Sequence, residues 1–238
     1  METNLKLEKA EKCESNIKYR NLIGALLYIS SSTRPDISFS VNYLSRYQNS
    51  YSETHWKYAL RILKYLHATK DLKLRYKRNE KCDIINCYVD ADWGGDNSDR
   101  RSTSGYVIKM YGNIVDWKSR KQRCVTKAST YAEYIALSEV VSEIKYVREL
   151  VKIFGITICE PIKIYEDNSG AINIANNGNF TKNSKHIEIH YHFVHESVKE
   201  KLIDVCKIDS NENVADIFTK ALCKLKFIKF RELLNVKA

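Results

Sequence analysis

Proline and glycine are scarce in this 238-residue chain, with 2 prolines and 8 glycines, which argues against long disordered linkers. No apolar run approaches the roughly 20 residues needed to span a bilayer. The opening segment, Met1 to Ala10, is charged and carries no apolar signal sequence. The expectation is a protein inside the cell, in the cytoplasm or the nucleus, with no membrane partner. The 7 cysteines are odd in number, and no two stand at CxxC spacing. That pattern disfavours a zinc site or a disulfide framework and favours reduced, scattered thiols.

What is present bounds the answer further. The apolar share is 44%, enough to bury a core in one large domain, or in one domain with an appendage. The formal net charge is +10. An excess of that size favours a polyanionic partner, nucleic acid being the commonest, although it also occurs in proteins that merely stay soluble.

The first stretch of the chain is polar and is expected to be frayed. From Tyr19 onward the pattern is helical, with Leu22, Ile23, Leu26, Leu27 and Ile29 closely spaced. Arg34-Pro35-Asp36 interrupts it, because residues before proline avoid helical angles. Ser52-Glu53-Thr54 opens another helix, with Trp56, Ala59, Leu60, Leu63 and Leu66 as its stripe. The character then changes. A buried strand is expected over 84–89, ending at Asp90. Strands over 103–110 and 114–118 flank a hairpin turn at Tyr111-Gly112-Asn113. A long helix is expected over 128–154, a fourth strand over 161–165 and a short helix over 169–175. A helix over 186–200 and a fifth strand over 202–208 come next. Asn213 is expected to open one last helix running towards Leu234. The order β-β-β-α-β-α-α-β-α gives an α/β fold: a mixed five-stranded sheet flanked by helices and preceded by a small helical segment.

Four acids fall at the ends of these elements: Asp90 and Asp167 at strand ends, Glu133 and Asp216 in the first turns of helices. In open sheets, ligands gather beyond strand ends and near helix N-termini. If the first and fourth strands are neighbours, all four can converge. Converging carboxylates repel one another unless cations neutralise them, and hard oxygen ligands favour Mg²⁺ or Mn²⁺. Two such ions about 4 Å apart can clamp the attacking and leaving oxygens of a phosphodiester. Each acid also has a structural explanation. Asp90 fits a turn, Glu133 a capping box opened by Thr130, Asp167-Asn168 a helix cap, and Asp216 a partner of a helix dipole.

The ordered motifs are more specific. They run Tyr19-Arg20-Asn21-Leu22-Ile23-Gly24, Thr33-Arg34-Pro35-Asp36-Ile37-Ser38, Tyr88-Val89-Asp90-Ala91-Asp92-Trp93 and Arg101-Ser102-Thr103-Ser104-Gly105-Tyr106. They continue with Ala132-Glu133-Tyr134, Asp167-Asn168, Lys185-His186-Ile187-Glu188-Ile189 and Tyr191-His192-Phe193, and end on Ala215-Asp216-Ile217-Phe218-Thr219-Lys220-Ala221-Leu222. Over nearly its whole length the chain resembles the C-terminal end of Copia-type retrotransposon Pol polyproteins. The resemblance implies a ribonuclease H-like domain over 80–238 and a helical remnant of the reverse transcriptase's connecting region over 17–79. Residues 1–16 are left as a disordered polar tail. It implies that Asp90, Glu133, Asp167 and Asp216 are both catalytic residues and metal ligands for two Mg²⁺ ions, with Mn²⁺ as the alternative. The implied reaction is hydrolysis of the RNA strand of RNA–DNA hybrids, beside the polymerase domain of an intact polyprotein. The sequence departs from the family pattern where Tyr131 replaces a usual Glu, Glu188 a common Asp and His195 a common Arg, which bears on substrate contacts rather than on the presumed ligands.

Related activities fit less well. The acids of Tyr88-Val89-Asp90-Ala91-Asp92 are separated, whereas a polymerase needs adjacent aspartates. The acid order Asp, Glu, Asp, Asp disfavours an integrase. His186, His190, His192 and His195 lie at helical spacings, but Ile187 stands where a zinc protease needs Glu, so a polar helix face is the better expectation. Lys118, Arg120, Lys121 and Arg123 are expected in a loop between the third strand and the long helix, where they are candidates for phosphate contact; a solvated loop is the alternative. Trp93 and Trp117 are candidates for stacking on sugars or bases, or for core packing. The competing functional reading is a decayed, catalytically silent remnant that binds nucleic acid without cutting it.

Overall fold

The computed structural model describes residues 1–3, 5–11, 13, 18–77, 79, 82–178 and 188–238. The helical segment comprises α1 (Tyr19–Ser32), α2 (Ser38–Ser45) and α3 (Glu53–Ala68), and it is succeeded by a short strand, β1 (Lys73–Leu74). Pro35 starts a single 3-10 turn between the first two helices, as the proline rule requires. Ser52 opens α3 through a reciprocal cap in which His55 plays the part usually taken by Glu. Apolar residues at helical spacing, among them Tyr19, Ile23, Leu26, Val41, Leu44 and Ala59, close a core of their own. The expected frayed tail is corrected by its described part. Met1 and Leu7 pack against this core, Tyr47 Oη donates to the Leu7 carbonyl at 2.9 Å, and the Ala10 amide donates to the Ser50 carbonyl.

The remainder is built on β2 (Ile85–Asp92), β3 (Thr103–Met110), β4 (Asn113–Lys121), α4 (Ser129–Ile153), β5 (Ile162–Glu166), α5 (Ser169–Asn177), α6 (Glu188–Lys199), β6 (Ile203–Lys207) and α7 (Lys224–Leu233). The strands form one mixed sheet in the order β4-β3-β2-β5-β6, antiparallel up to β2 and parallel from there. Tyr111 and Gly112 both have positive φ, the backbone of a two-residue hairpin whose twist suits its strands. Alternation along β2 sends Ile85, Cys87, Val89 and Ala91 into a core shared with α4, α5 and α6. Tyr88 and Val107 face the opposite side, with Ile217, Phe218 and Phe230. Helices therefore cover both faces, the α/β architecture expected from the sequence.

Two local expectations are corrected, and one element is new. The last helix does not begin at Asn213. A 3-10 turn covers Val214–Phe218, capped by the Asn213 side chain, and α7 begins only at Lys224. The basic stretch is not a loop: β4 runs on to Lys121, so Lys118, Arg120 and Lys121 lie on an edge strand. A two-stranded ribbon was not anticipated, in which β1 pairs with β7 (Val236–Lys237) and ties the end of the helical segment to the C-terminus. Two-residue strands carry too little periodicity to be seen in sequence. Of the helix expected over 186–200, residues 186 and 187 lie outside the described residues.

Candidate metal centre

Strand register brings the first two acids together. Tyr88 pairs with Tyr165 across the parallel β2–β5 ladder, so Asp90 and Asp167, each two residues further on, emerge at the same end of the sheet. α4 crosses β2 and delivers Glu133 from its first turns. One carboxylate oxygen each from Asp90, Glu133 and Asp167 lies within 4.8 Å of the others. Among the described residues, this is the group of acidic, histidine or cysteine side chains placed to hold a metal ion.

Asp90 and Glu133 are buried. Burial pushes the Asp90 carboxyl up to about 7, opposed by Lys220 and reinforced by Asp216 and Asp167. Burial also raises Glu133 well above the carboxylate range, with Glu166, Asp90 and Asp167 adding to the shift. Glu133 Oε2 is buried without a hydrogen-bond partner. An orphaned acceptor beside two further carboxylates is costly as it stands. The donor set therefore fits a divalent cation, which prefers oxygen ligands.

The capping-box explanation of Glu133 is not what the chain adopts. Ala128 is the N-cap residue, and Thr130 Oγ1 instead reaches Asn168 Oδ1 at 3.3 Å. Asn168 caps α5, accepting from the Ala171 amide, and leaves the neighbouring Asp167 carboxylate in the cluster.

Asp216 is close by but differently engaged, and it is not in the three-carboxylate group. Its Oδ1 lies 2.7 Å from Lys220 Nζ and its Oδ2 2.6 Å from Lys226 Nζ. Lys220 also reaches Asp90, at 3.6 Å, and Thr219 Oγ1 donates to Asp90 Oδ2. Burial works against the Lys220 charge, but Asp90 and Asp216 outweigh it and hold the ammonium above its usual pKa. This approach requires Gly105, the register partner of Asp90. A Cβ there would come within 2.6 Å of Phe218 Cβ and 2.7 Å of Thr219 Cγ2.

Sequence reasoning missed Glu166. It is fully buried, its Oε1 accepts from the Asn168 amide at 2.9 Å, and its Oε2 has no partner. Burial raises it well above the carboxylate range, and Asp90 and Asp167 raise it further. The signal was present: Glu166 is in phase with the inward-facing Ile162 and Ile164. Thr219 and Lys220 were also missed, although they come shortly after Asp216 in the chain.

The other candidates are scattered. Lys118 pairs with Glu143 at 3.0 Å, and Lys121 pairs with Asp96 at 2.5 Å and Asp99 at 2.9 Å. Arg120 is partly exposed and Arg123 exposed. Trp117 Nε1 donates to the Ser30 carbonyl at 2.9 Å, joining β4 to the helical segment. Trp93 is 50% exposed, so core packing does not account for it. His190 Nδ1 lies 2.9 Å from Ser138 Oγ, and His195 Nδ1 lies 3.1 Å from the Ala175 carbonyl. His186 falls outside the described residues. The cysteines, Cys13, Cys82, Cys87, Cys124, Cys159, Cys206 and Cys223, are free thiols. Among the described residues, no helix is long and apolar enough to cross a membrane.

Comparison with known proteins places the chain in a family. The chain is 34% identical over 232 residues to the retrovirus-related Pol polyprotein from transposon RE2 of Arabidopsis thaliana, which covers 98% of this chain and 16% of the polyprotein. It is 33% identical over 222 residues to that from transposon TNT 1-94 of Nicotiana tabacum, covering 93% of this chain and 16% of the relative. A secreted RxLR effector protein of Plasmopara viticola is 42% identical over 128 residues, 54% of this chain and 89% of that protein. No family model matches. Among solved structures, the ribonuclease H1 named LC11, isolated from compost, aligns with a TM-score of 0.44 at 17% identity, covering 58% of this chain and 94% of that one. The fold is a mixed five-stranded sheet flanked by helices. The chain belongs to the Copia-type retrotransposon Pol family. It spans about one sixth of the length of the polyproteins it matches.

Proposed function

We propose that this chain is a divalent-metal-dependent ribonuclease that hydrolyses the RNA strand of RNA–DNA hybrids. The observation that carries the reading is the convergence of Asp90, Glu133 and Asp167, with Glu133 Oε2 buried and unpartnered. These three side chains would hold Mg²⁺, or Mn²⁺ in its place, and Asp216 would contribute to a second ion. When bound, such cations neutralise the carboxylates, lower the pKa of an attacking water and stabilise charge on the leaving oxygen. The chain's own part is to fix the acids at one end of a rigid sheet. Glu166 adds negative charge close to Glu133, and Thr219 orients Asp90 by donating to it. Arg120 and Arg123 are the better candidates for contact with hybrid phosphates, since Lys118 and Lys121 already serve acids of the chain itself. We assign the helical segment to the connecting region of a reverse transcriptase, which in an intact polyprotein would join this domain to the polymerase.

Cleavage of an end-labelled RNA–DNA hybrid by the purified chain, with Mg²⁺, Mn²⁺ or EDTA, tests the proposal. Metal-dependent cutting of the RNA strand alone is expected. No cutting by folded protein with either metal would overturn it. A second reading, binding without cutting, draws on the two lysines that already neutralise Asp216. Hybrid binding that persists while metal-dependent cleavage is absent would select that reading.

A further inference from the structure

Asp216 and Glu133 are acids of the same site with different neighbours. Glu133 Oε2 is buried and has no hydrogen-bond partner. Asp216 Oδ1 likewise makes no hydrogen bond, but Lys220 Nζ is ion-paired with it at 2.7 Å, while Lys226 Nζ donates to Oδ2 at 2.6 Å. Lys220 spans to Asp90 as well, at 3.6 Å, so its Nζ stands between the two carboxylates, where a cation shared by Asp90 and Asp216 would have to sit. The side chains of Asp90 and Asp216 are 2% and 1% exposed, whereas that of Lys220 is 40% exposed. The carboxylates are fixed by the fold and the lysine can swing into solvent.

We propose that Lys220 is a positioning residue whose ammonium fills the cation position between Asp90 and Asp216, so that a second divalent ion enters only by displacing it. This rests on the metal-centre reading given above. The first ion, on Asp90, Glu133 and Asp167, binds without moving Lys220. The second must expel a unit positive charge held by two carboxylates and therefore binds more weakly. Lys226 keeps Asp216 oriented from α7 while the exchange takes place. Lys220 thus acts through the acids and the cation count, without touching the reacting phosphodiester.

The test is titration of the metal-stripped full chain with Mn²⁺ alone, read by calorimetry and by electron paramagnetic resonance of free Mn²⁺. Wild type, Lys220→Met and Lys220→Arg are compared, with circular dichroism to confirm folding and Asp90→Asn as the control for the site. The expected result is one ion bound to wild type before a weaker second. In Lys220→Met the second should tighten by about tenfold or more, as removal of a charge a few ångströms away requires. Lys220→Arg, which keeps the charge, should restore the wild-type isotherm. A merely structural lysine would not produce that order. If wild type binds one ion and Lys220→Met superimposes on it, the role of Lys220 is overturned and the metal centre stands. If Lys220→Arg gains the second ion as readily as Lys220→Met, charge is not the cause and the proposal also fails. If neither wild type nor Lys220→Met binds Mn²⁺, the metal-centre reading fails and takes this one with it.

Discussion

Asp90 lies within β2 near its end and Asp96 in the turn beyond it, and both are buried, at 2% and 4% exposure, yet their surroundings drive them in opposite directions. Burial opposes ionisation at both. At Asp96 it is overcome. Lys121 lies at 2.5 Å, Ser98 donates from its hydroxyl at 2.6 Å and its amide at 2.9 Å, and Arg46 reaches across from α2 at 3.2 Å. Together these hold the carboxyl below the usual aspartate range. At Asp90, Lys220 at 3.6 Å and a hydrogen bond from Thr219 compete with burial and with neighbouring acids, and burial wins. Asp96 is a completed structural junction between the helical segment and the sheet. Asp90 belongs to a centre left short of positive charge, the condition that a bound cation relieves.

The sharpest way to break this contrast is to remove each charge in turn. Asp90→Asn should lower hybrid cleavage by at least about 1,000-fold, on the order of 4 kcal/mol in the barrier, without unfolding the chain. Asp96→Asn, assayed well below its melting temperature, should retain cleavage within about threefold, since it touches none of the acids. Single-turnover assays on a labelled hybrid decide both. Near wild-type cleavage by Asp90→Asn would remove Asp90 from the centre.

The two acids also predict opposite pH limbs for the metal-free protein. Asp90 titrates near 7 in the folded chain against about 4 when unfolded. Between those values the native state holds a proton that the unfolded state has released, so stability is fully present below about 4 and falls as pH rises to about 7, by a few kcal/mol. Glu133 and Glu166, raised for the same reason, add to that loss. Asp96 acts the other way. Its stabilisation is present above about 4 and is lost as pH falls below it. Urea midpoints in EDTA across this range should show the neutral limb flattened in Asp90→Asn and the acid limb flattened in Asp96→Asn. Added Mn²⁺ should raise the neutral limb in wild type but not in Asp90→Asn.

At fixed neutral pH, Asp96→Asn should cost about 2–3 kcal/mol. Breaking a buried ion pair costs roughly 3–5 kcal/mol, and Lys121, at 22% exposure, recovers part of its hydration. Arg46→Ala should cost less, because Lys121 and Ser98 still satisfy Asp96. Equilibrium denaturation in urea measures both, and equal losses would mean that Arg46 is the dominant partner.

None of this asymmetry could be read from the string Asp90-Ala91-Asp92-Trp93-Gly94-Gly95-Asp96. Sequence periodicity located the five strands and the long helix because alternation and helical spacing are dictated by burial, which a linear pattern records. It placed Asp90, Glu133 and Asp167 at element ends; strand register brought the two aspartates together and α4 delivered Glu133. It could not tell that Asp216 would be taken by lysines, one of them from a separate helix, because Lys226 reaches it only after the chain leaves the 3-10 turn at Val214–Phe218 and turns into α7. Nor could it tell that Glu166 is buried rather than solvated, since a lone acid after Ile-Lys-Ile-Tyr also fits an exposed strand end. Partner identity at long range, rather than residue type, decides which acid is structural.

The same distinction separates Lys121, at the end of β4, from Arg123, two residues beyond it, with the smallest expected effect. Lys121 is committed to Asp96 and Asp99, whereas Arg123 is exposed past the strand end. A phosphate contact releases counterions and contributes a slope of about 0.9 to the dependence of log affinity on log salt. Arg123→Ala should therefore weaken binding of a catalytically silenced chain to an RNA–DNA hybrid by about threefold and lower the salt slope by about 1. Lys121→Ala should instead lower the urea midpoint and leave the slope unchanged, because its charge is already neutralised within the protein. Fluorescence anisotropy of a labelled hybrid at several salt concentrations reads both variants. A slope that drops in Lys121→Ala but not in Arg123→Ala would reverse the assignment and place the hybrid over the strand itself.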